Sequence, residues 1–288
     1  MKAPTLEHFI SKVGNPGSRA REVKMKIPYS IRLSIRDFWQ GILLATLGIQ
    51  YRLRQHLKAQ NRSWPKEKRY TQGYFYQGLE ELGITGAKPT GFRFSQYQVD
   101  DILKNADVLD IGSNCGFVSC YCARRAASVT AIEVNPFLNR IAKDAADYLK
   151  LGNINFVEND FSTFVSDKEF DVVLSFSNHH TIDGNLHMDF ERYIEKVVDL
   201  LKPGGYLLFE SHNVFASGEG GAGDDGDMEQ KIAIMNKHFD IERYRMVRCY
   251  LKHAVEDLDK LFIVARRSDS PKPVQFNLSE AREKYQWS

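Results

Sequence analysis

The chain has 288 residues, 43% of them hydrophobic and 26% charged, with a formal net charge of +2. That balance excludes a disordered polyelectrolyte and leaves apolar material for one large domain with an appended piece. Three of its four cysteines, Cys115, Cys120 and Cys122, cluster in one stretch, and Cys120-x-Cys122 is too tight for common zinc spacing, so free thiols in a reducing, cytoplasmic setting are expected over a metal site or disulfides.

In chain order, residues 1–30 read as loosely ordered, with Gly14-Asn15-Pro16-Gly17-Ser18 a backbone breaker. Met1 to Ile10 lacks the apolar stretch of a secretory signal. Ile31 to Leu57 reads as helical, with Phe38, Ile42, Ala45 and Ile49 along one face, although Gly41 and Gly48 weaken the helix or allow close packing. This stripe is expected to pack on the neighbouring domain; the alternative is that it lies on a membrane surface. Its apolar run, Phe38 to Ile49, is about half the length that crosses a bilayer.

Charge is unevenly placed. Residues 1–70 hold 15 Lys and Arg against four acids, whereas residues 71–288 hold 24 against 33. No acid stands between Asp37 and Glu67, while Arg52, Arg54, Lys58, Arg62 and Lys66 do. Such a run is either a solvated face balancing the acidic remainder or a docking surface for a polyanion: RNA, a phosphorylated glycan or an anionic membrane. Tyr70 to Tyr97 is aromatic (Tyr74, Phe75, Tyr76, Phe92, Phe94, Tyr97) and is expected to lie over the mouth of the ligand site.

Residues 108–119, Val-Leu-Asp-Ile-Gly-Ser-Asn-Cys-Gly-Phe-Val-Ser, are the most informative stretch. An apolar strand runs into Asp110, then Gly112 and Gly116 open a helix-forming segment. Glycines let the backbone turn and let a ligand approach without meeting a Cβ, and the amides opening the helix then point into the crevice. The usual dinucleotide spacing fails here, because Ser119 stands where the third glycine belongs and three residues separate the first pair. Asp110 would repel a pyrophosphate but receive an ammonium group, so a ligand with a cationic amino-acid end is expected. Further strands follow at Val129–Ile132, ending at Glu133, at Asn153–Val157 before Glu158-Asn159-Asp160-Phe161, and at Phe170–Phe176. Leu201-Lys202-Pro203-Gly204-Gly205 reads as a turn into a fifth strand, Tyr206–Glu210. Strands alternating with helical segments predict an α/β, doubly wound sheet.

These motifs together resemble the class I S-adenosylmethionine-dependent methyltransferases. Asp110-x-Gly112-x-x-x-Gly116 is similar to their first motif, Glu133 to the acid ending their second strand, and Asn159-Asp160-Phe161 to their adenine-flanking motif. Phe170-Asp171-Val172-Val173 and Leu201-Lys202-Pro203-Gly204-Gly205 are similar to their fourth and fifth strand signatures. The resemblance covers roughly residues 95–267 and implies a Rossmann-like, seven-stranded sheet with a C-terminal antiparallel hairpin, its last strand inserted between the fifth and sixth. It implies S-adenosyl-L-methionine as cofactor, its methionine end against Gly112, Ser113, Asn114, Cys115 and Gly116 beside Asp110. Glu133 would take the ribose and Asp160 the adenine amino group, with Phe161 and Ser177 completing the set.

The expected division is a basic, partly helical extension over 1–94, the methyltransferase domain over 95–267 and a polar tail over 268–288, docked by Phe276, Tyr285 and Trp287. Phe239–Val247 and Lys260–Arg267 read as the hairpin strands, and the Gly-rich 217–226 loop as a candidate mobile lid. The fourth strand ends in Ser177-Asn178-His179-His180-Thr181-Ile182-Asp183, without the Asn/Asp-Pro-Pro-aromatic signature that grips a base or amide nitrogen. A histidine can instead accept a hydroxyl proton, so His180, then His179, are candidate general bases with Asp183 orienting. No resident metal is expected; the alternative joins His179 or His180 with Glu210 and His212. Small-RNA 2′-O-methyltransferases are similar in pairing histidines with glutamates around a metal, but their Glu-x-x-Glu-His pattern is missing here. The leading expectation is O-methylation of a glycan, glycolipid or other small-molecule acceptor. RNA methylation through the basic N-terminal region and a non-catalytic cofactor-binding subunit are the alternatives.

Overall fold

Strand alternation decides which face of the central sheet each side chain feeds. In the computed structural model, which describes residues 28–66, 69, 73–179, 188–219, 224–249 and 260–283, Val108, Val172, Leu208 and Val264 turn to one face. Their neighbours Leu109, Val173, Leu207 and Ile263 turn to the other. Both faces are therefore buried, as a parallel sheet requires.

The chain begins with α1 (Tyr29–Leu43), α2 (Leu47–Ser63), the short strands β1 (Gln77–Gly78) and β2 (Lys88–Pro89), α3 (Thr90–Tyr97) and α4 (Asp100–Leu103). It continues through β3 (Asp107–Ile111), α5 (Phe117–Ala123), β4 (Ser128–Glu133), α6 (Pro136–Tyr148), β5 (Ile154–Glu158) and β6 (Phe170–Phe176). Then come α7 (Phe190–Leu200), β7 (Leu201–Glu210), α8 (Met228–Met235), β8 (Phe239–Val247), β9 (Lys260–Arg267) and α9 (Leu278–Glu283). Seven strands form one sheet in the order β5-β4-β3-β6-β7-β9-β8. β3 to β7 pair in parallel, and β9 runs antiparallel to both β7 and β8. This is a Rossmann-like sheet closed by an antiparallel hairpin, with the last strand inserted as expected. Strand order reverses at β3, and a crevice opens beyond the carboxyl ends there.

Local chemistry starts the helices that flank this crevice. Asn135 caps α6 by accepting from Phe137 N (3.0 Å), with Pro136 pre-set in the first turn. Asp189 caps α7 by accepting from Arg192 N at 2.8 Å. Leu53 and Leu57 of α2 are fully covered, packing with Leu138 and Ile141 of α6. Each contributes roughly 1.5–3 kcal/mol.

Three expectations need correction. The helix predicted over 31–57 is two helices, because the chain turns at Leu44–Thr46 with Ala45 at φ 54°. Gly41 permits this turn: a Cβ there would lie 2.7 Å from Leu47 and 2.8 Å from the Gln50 amide. That buried amide donates to Gly83 O (2.9 Å) and Asp37 O (3.0 Å), fixing the hairpin to the chain before β2. The apolar stripe of α1 does not pack on the sheet domain, since Phe38 and Ile42 are exposed while Ile49 is buried. The aromatic tract is core more than cover, because Phe75, Phe94 and Tyr97 are all buried. Tyr97 stacks on Phe262 with centroids 4.1 Å apart, and the division expected at residue 94 falls inside α3. At the other end, Phe276 packs edge-on against Tyr244 and Leu278 is buried; Tyr285 and Trp287 lie outside the described residues.

Candidate cofactor and acceptor site

β3 delivers the chain to a loop whose backbone only glycine adopts freely. Gly112 and Gly116 sit at φ +64° and +68°, and Asn114 at φ 57° between them. The two glycines serve different neighbours. A Cβ on Gly116 would lie 2.5 Å from that of Ala142, so this glycine lets α5 approach α6. A Cβ on Gly112 would lie 3.2 Å from Asn178 Cβ, at the crevice itself. Gly112→Val is expected to reduce S-adenosylhomocysteine binding below calorimetric detection; wild-type affinity would remove this loop from the site.

Four of the predicted residues meet in one cleft. Gly112, Glu133, Asp160 and Phe161 line it together with Ile132, Val134 and Asn159. Register explains the meeting, since β3, β4 and β5 are adjacent parallel strands ending at one edge. The Glu133 carboxylate accepts from Asn114 N (2.9 Å) and Asn135 N (2.8 Å), which aims it from the end of β4. Asp160 accepts from Ser162 N (2.7 Å) and Ser162 Oγ (2.6 Å), and Phe161 is buried against Tyr193.

Beneath the loop, the polar groups are short of partners. Asp110 is buried and makes no ion pair among the described residues; Ser119 Oγ donates to it at 2.6 Å. Burial raises its carboxyl to about 6. Ser113 Oγ is buried without a hydrogen-bond partner among the described residues. A buried carboxylate lacking a cation and a hydroxyl lacking a partner fit the amino-acid end of S-adenosylmethionine. Cys115, by contrast, sends its side chain into the core with Phe117 and Ile141, where burial pushes its thiol well up. Only its backbone belongs to the loop. All four cysteines are buried and free.

At the end of β6, Ser177 turns away from the cleft. Its Oγ donates to Glu210 Oε1 (2.6 Å), so its side chain serves β7 rather than the cofactor loop. Asn178 takes the place beside Gly112, donating to Ile111 O while accepting from Tyr193 OH at 2.9 Å. Sequence reasoning missed it; its one signal was a polar residue at the end of a buried strand. His179 is buried, its ring edge-on to Phe190 (4.9 Å) and Tyr193 (5.1 Å). His180 and Asp183 lie outside the described residues.

The end of β7 holds a charge cluster that sequence reasoning also missed. Buried Glu210 pairs with Arg93 (2.9 Å) and Lys88 (3.8 Å) and accepts from Tyr97 OH and Cys249 Sγ. Burial opposes its charge, but Arg93, Lys88 and Lys260 outweigh that and hold the carboxyl well below the usual range. Lys260 is wholly buried and its Nζ has no hydrogen-bond partner among the described residues; burial, reinforced by Lys88, lowers it to about 7. Glu210 is therefore committed to cations, which corrects its place in the alternative metal set. No group of three His, Cys, Asp or Glu side chains among the described residues is placed to hold a metal ion. His212 donates its backbone N–H to Asp225, whose carboxylate pairs with buried Lys231. The described part of the Gly-rich loop is pinned rather than loose: Asp224 accepts from Gly218 N (3.0 Å), Glu219 N (3.0 Å) and Gly226 N (2.8 Å). Residues 220–223 lie outside the description.

A Rossmann-like sheet, a glycine loop at its switch point and an acid ending the next strand define a nucleoside-binding methyltransferase fold. Residues 109–209 match the family described as "Methyltransferase domain". The chain therefore carries a class I methyltransferase domain whose cofactor is S-adenosyl-L-methionine. Among similar proteins, a putative protein N5-glutamine methyltransferase of Methanocaldococcus jannaschii is 34% identical over 124 residues, 36% of this chain and 61% of that protein. A ubiquinone biosynthesis O-methyltransferase of Coxiella burnetii is 29% identical over 126 residues, 43% of this chain and 50% of that one. The chain thus spans between half and two thirds of those relatives. The N-methyltransferase NodS of Bradyrhizobium japonicum WM9, solved with S-adenosyl-L-homocysteine, superposes with TM-score 0.53 at 16% identity, covering 74% of this chain and 99% of that one. At that identity the likeness is one of fold.

Proposed function

We propose that the protein transfers a methyl group to a hydroxyl oxygen of a glycan, glycolipid or other small-molecule acceptor. The observation that carries this reading is the convergence of Gly112, Glu133, Asp160 and Phe161 on one cleft, with the end of β6 alongside. Asp110 and the Ser113 hydroxyl would hold the amino-acid end of the cofactor, Glu133 its ribose and Asp160 its adenine. Bound there, S-adenosylmethionine supplies a methyl group already activated on a sulfonium. The protein's own task is then to align the acceptor and take up its proton.

His180 is the proposed proton acceptor, with His179 second and Asp183 orienting. Ser177-Asn178-His179-His180 stands where enzymes that grip a base or amide nitrogen carry Asn/Asp-Pro-Pro-aromatic, which favours oxygen as the acceptor atom. The relatives divide between an O-methyltransferase and a putative N5-glutamine methyltransferase, so the motif carries the choice of oxygen. Methyl-labelled S-adenosylmethionine, offered with hydroxyl acceptors, RNA and a glutamine peptide, tests the reading. Label on oxygen is expected. Label on nitrogen, or cofactor binding without turnover on any acceptor, would overturn it. His180→Ala is expected to slow turnover about 10²–10⁴-fold while leaving S-adenosylhomocysteine affinity unchanged; full turnover would remove His180 from the mechanism.

A further inference from the structure

Helix α1 presents its apolar side outward. Leu33, Asp37 and Gly41 form the edge that faces the protein and are buried. Ile31, Ile35, Phe38, Trp39 and Ile42, spaced as one helical face, are each about half exposed on the other side, and Leu43 is 70% exposed. Beyond the turn the surface continues through Leu44, Leu47 and Tyr51. Between α1 and Tyr74 it deepens into an open groove of about 540 Å³. A helix whose apolar residues point to water and whose polar Asp37 is buried is the inverse of an ordinary surface helix.

Charge narrows the choice of partner. Residues 31–66 carry seven Arg and Lys against one acid, Asp37, and that acid is buried and paired with Arg54. Arg32 flanks the stripe on α1, and Arg52, Lys58 and Arg62 are exposed along α2. A second copy of this surface would bring two basic rims together. RNA would meet apolar side chains where it needs cations. Trp39 and Tyr51 have the amphipathic rings that settle at a lipid headgroup boundary, and a fluid acyl layer can follow an apolar surface that runs around a turn.

We propose that the α1–α2 hairpin is a docking surface for an anionic lipid bilayer. The apolar stripe would enter the headgroup–acyl boundary while the basic rim meets lipid phosphates. No helix among the described residues is long and apolar enough to cross a membrane. Docking also brings the bilayer near the cofactor side. Gly73, in the groove, lies beside Asn61, and its neighbour Gln60 accepts from Asn135 two residues after Glu133.

Flotation of the full-length protein with phosphatidylcholine vesicles, with and without phosphatidylglycerol, tests this. Binding is expected with the mixed vesicles and to be at least about tenfold weaker with phosphatidylcholine alone. Leu43→Glu and Phe38→Glu, both at exposed positions, are expected to weaken flotation about tenfold or more while S-adenosylhomocysteine affinity stays at wild type. No flotation, or flotation unchanged in both variants, would overturn the proposal. So would a wild-type dimer in sedimentation velocity that either variant disperses, or RNA binding that replaces vesicle binding. Flotation needs neither cofactor nor turnover, so its failure is distinct from failure of the methyl-transfer reading.

Discussion

Asp110→Asn is expected to raise the thermal midpoint of the cofactor-free protein by about 5–10 °C at pH 7 while weakening S-adenosylhomocysteine binding about 10–100-fold. The gain follows from burial. A carboxyl held at about 6, against an ordinary 3.8, must ionise inside the fold, which costs on the order of 2–3 kcal/mol at pH 7. Because the folded value lies above the unfolded one, this group's contribution to stability is fully present below pH 3.8 and is lost as pH rises through 6. The advantage of Asn should therefore vanish in acid. Asn keeps an acceptor for Ser119 Oγ, so the packing survives. The binding loss follows from the same charge, which in the proposed binding mode meets the ammonium group of the ligand. For the wild type, affinity should fall as pH drops below about 6. Differential scanning calorimetry with and without ligand, at pH 4 and 7, reads both effects; a variant that is less stable yet binds normally would contradict the assignment.

Glu210→Gln is expected to destabilise the fold by about 3–5 kcal/mol, despite preserving shape. Glu210 is the carboxylate that Arg93 and Lys88 share in a buried space with Lys260 beside them, so its neutralisation removes the counter-charge that this cluster surrounds. The cluster carries a pH signature. Lys260 sits at about 7, below an ordinary lysine, because burial and Lys88 outweigh the support of Glu210, so its charge opposes folding as pH falls and ceases to do so as pH rises. Wild type and variant should both gain stability between pH 7 and 9, where the unfolded chain binds more protons than the folded one. Urea denaturation at those two pH values checks it. Absence of that gain in the wild type would mean that Lys260 keeps its proton inside the fold.

What the sequence could convey depended on how local each interaction is. Phe170–Phe176, Phe239–Val247 and Lys260–Arg267 are strands at the predicted bounds, because their runs of apolar or alternating residues carry the signal themselves. β7 starts earlier than expected, at Leu201, since Lys202-Pro203-Gly204-Gly205 forms a bulged strand entrance rather than a separate turn. The cleft-lining residues were legible because motif spacing places each at the end of a strand. Arg93 was not, because its partner Glu210 lies on β7, far along the chain, and nothing near Arg93 in sequence marks it as buried. The outward face of α1 was misread for a related reason. A helical stripe records which residues are apolar, but the direction it faces is set by Gly41 and Gln50 closing the hairpin.

The bond from Asn135 to Gln60 ties α2 to the strand end that carries Glu133, so the N-terminal hairpin and the cleft share one mechanical joint. Two ligands that bear on a common joint obey reciprocity. The factor by which a bound cofactor changes the hairpin's hold on its partner must equal the factor by which that partner changes cofactor affinity. Gln60→Ala, which removes that bond, is then the variant in which any coupling between the proposed lipid docking and cofactor binding is expected to be lost.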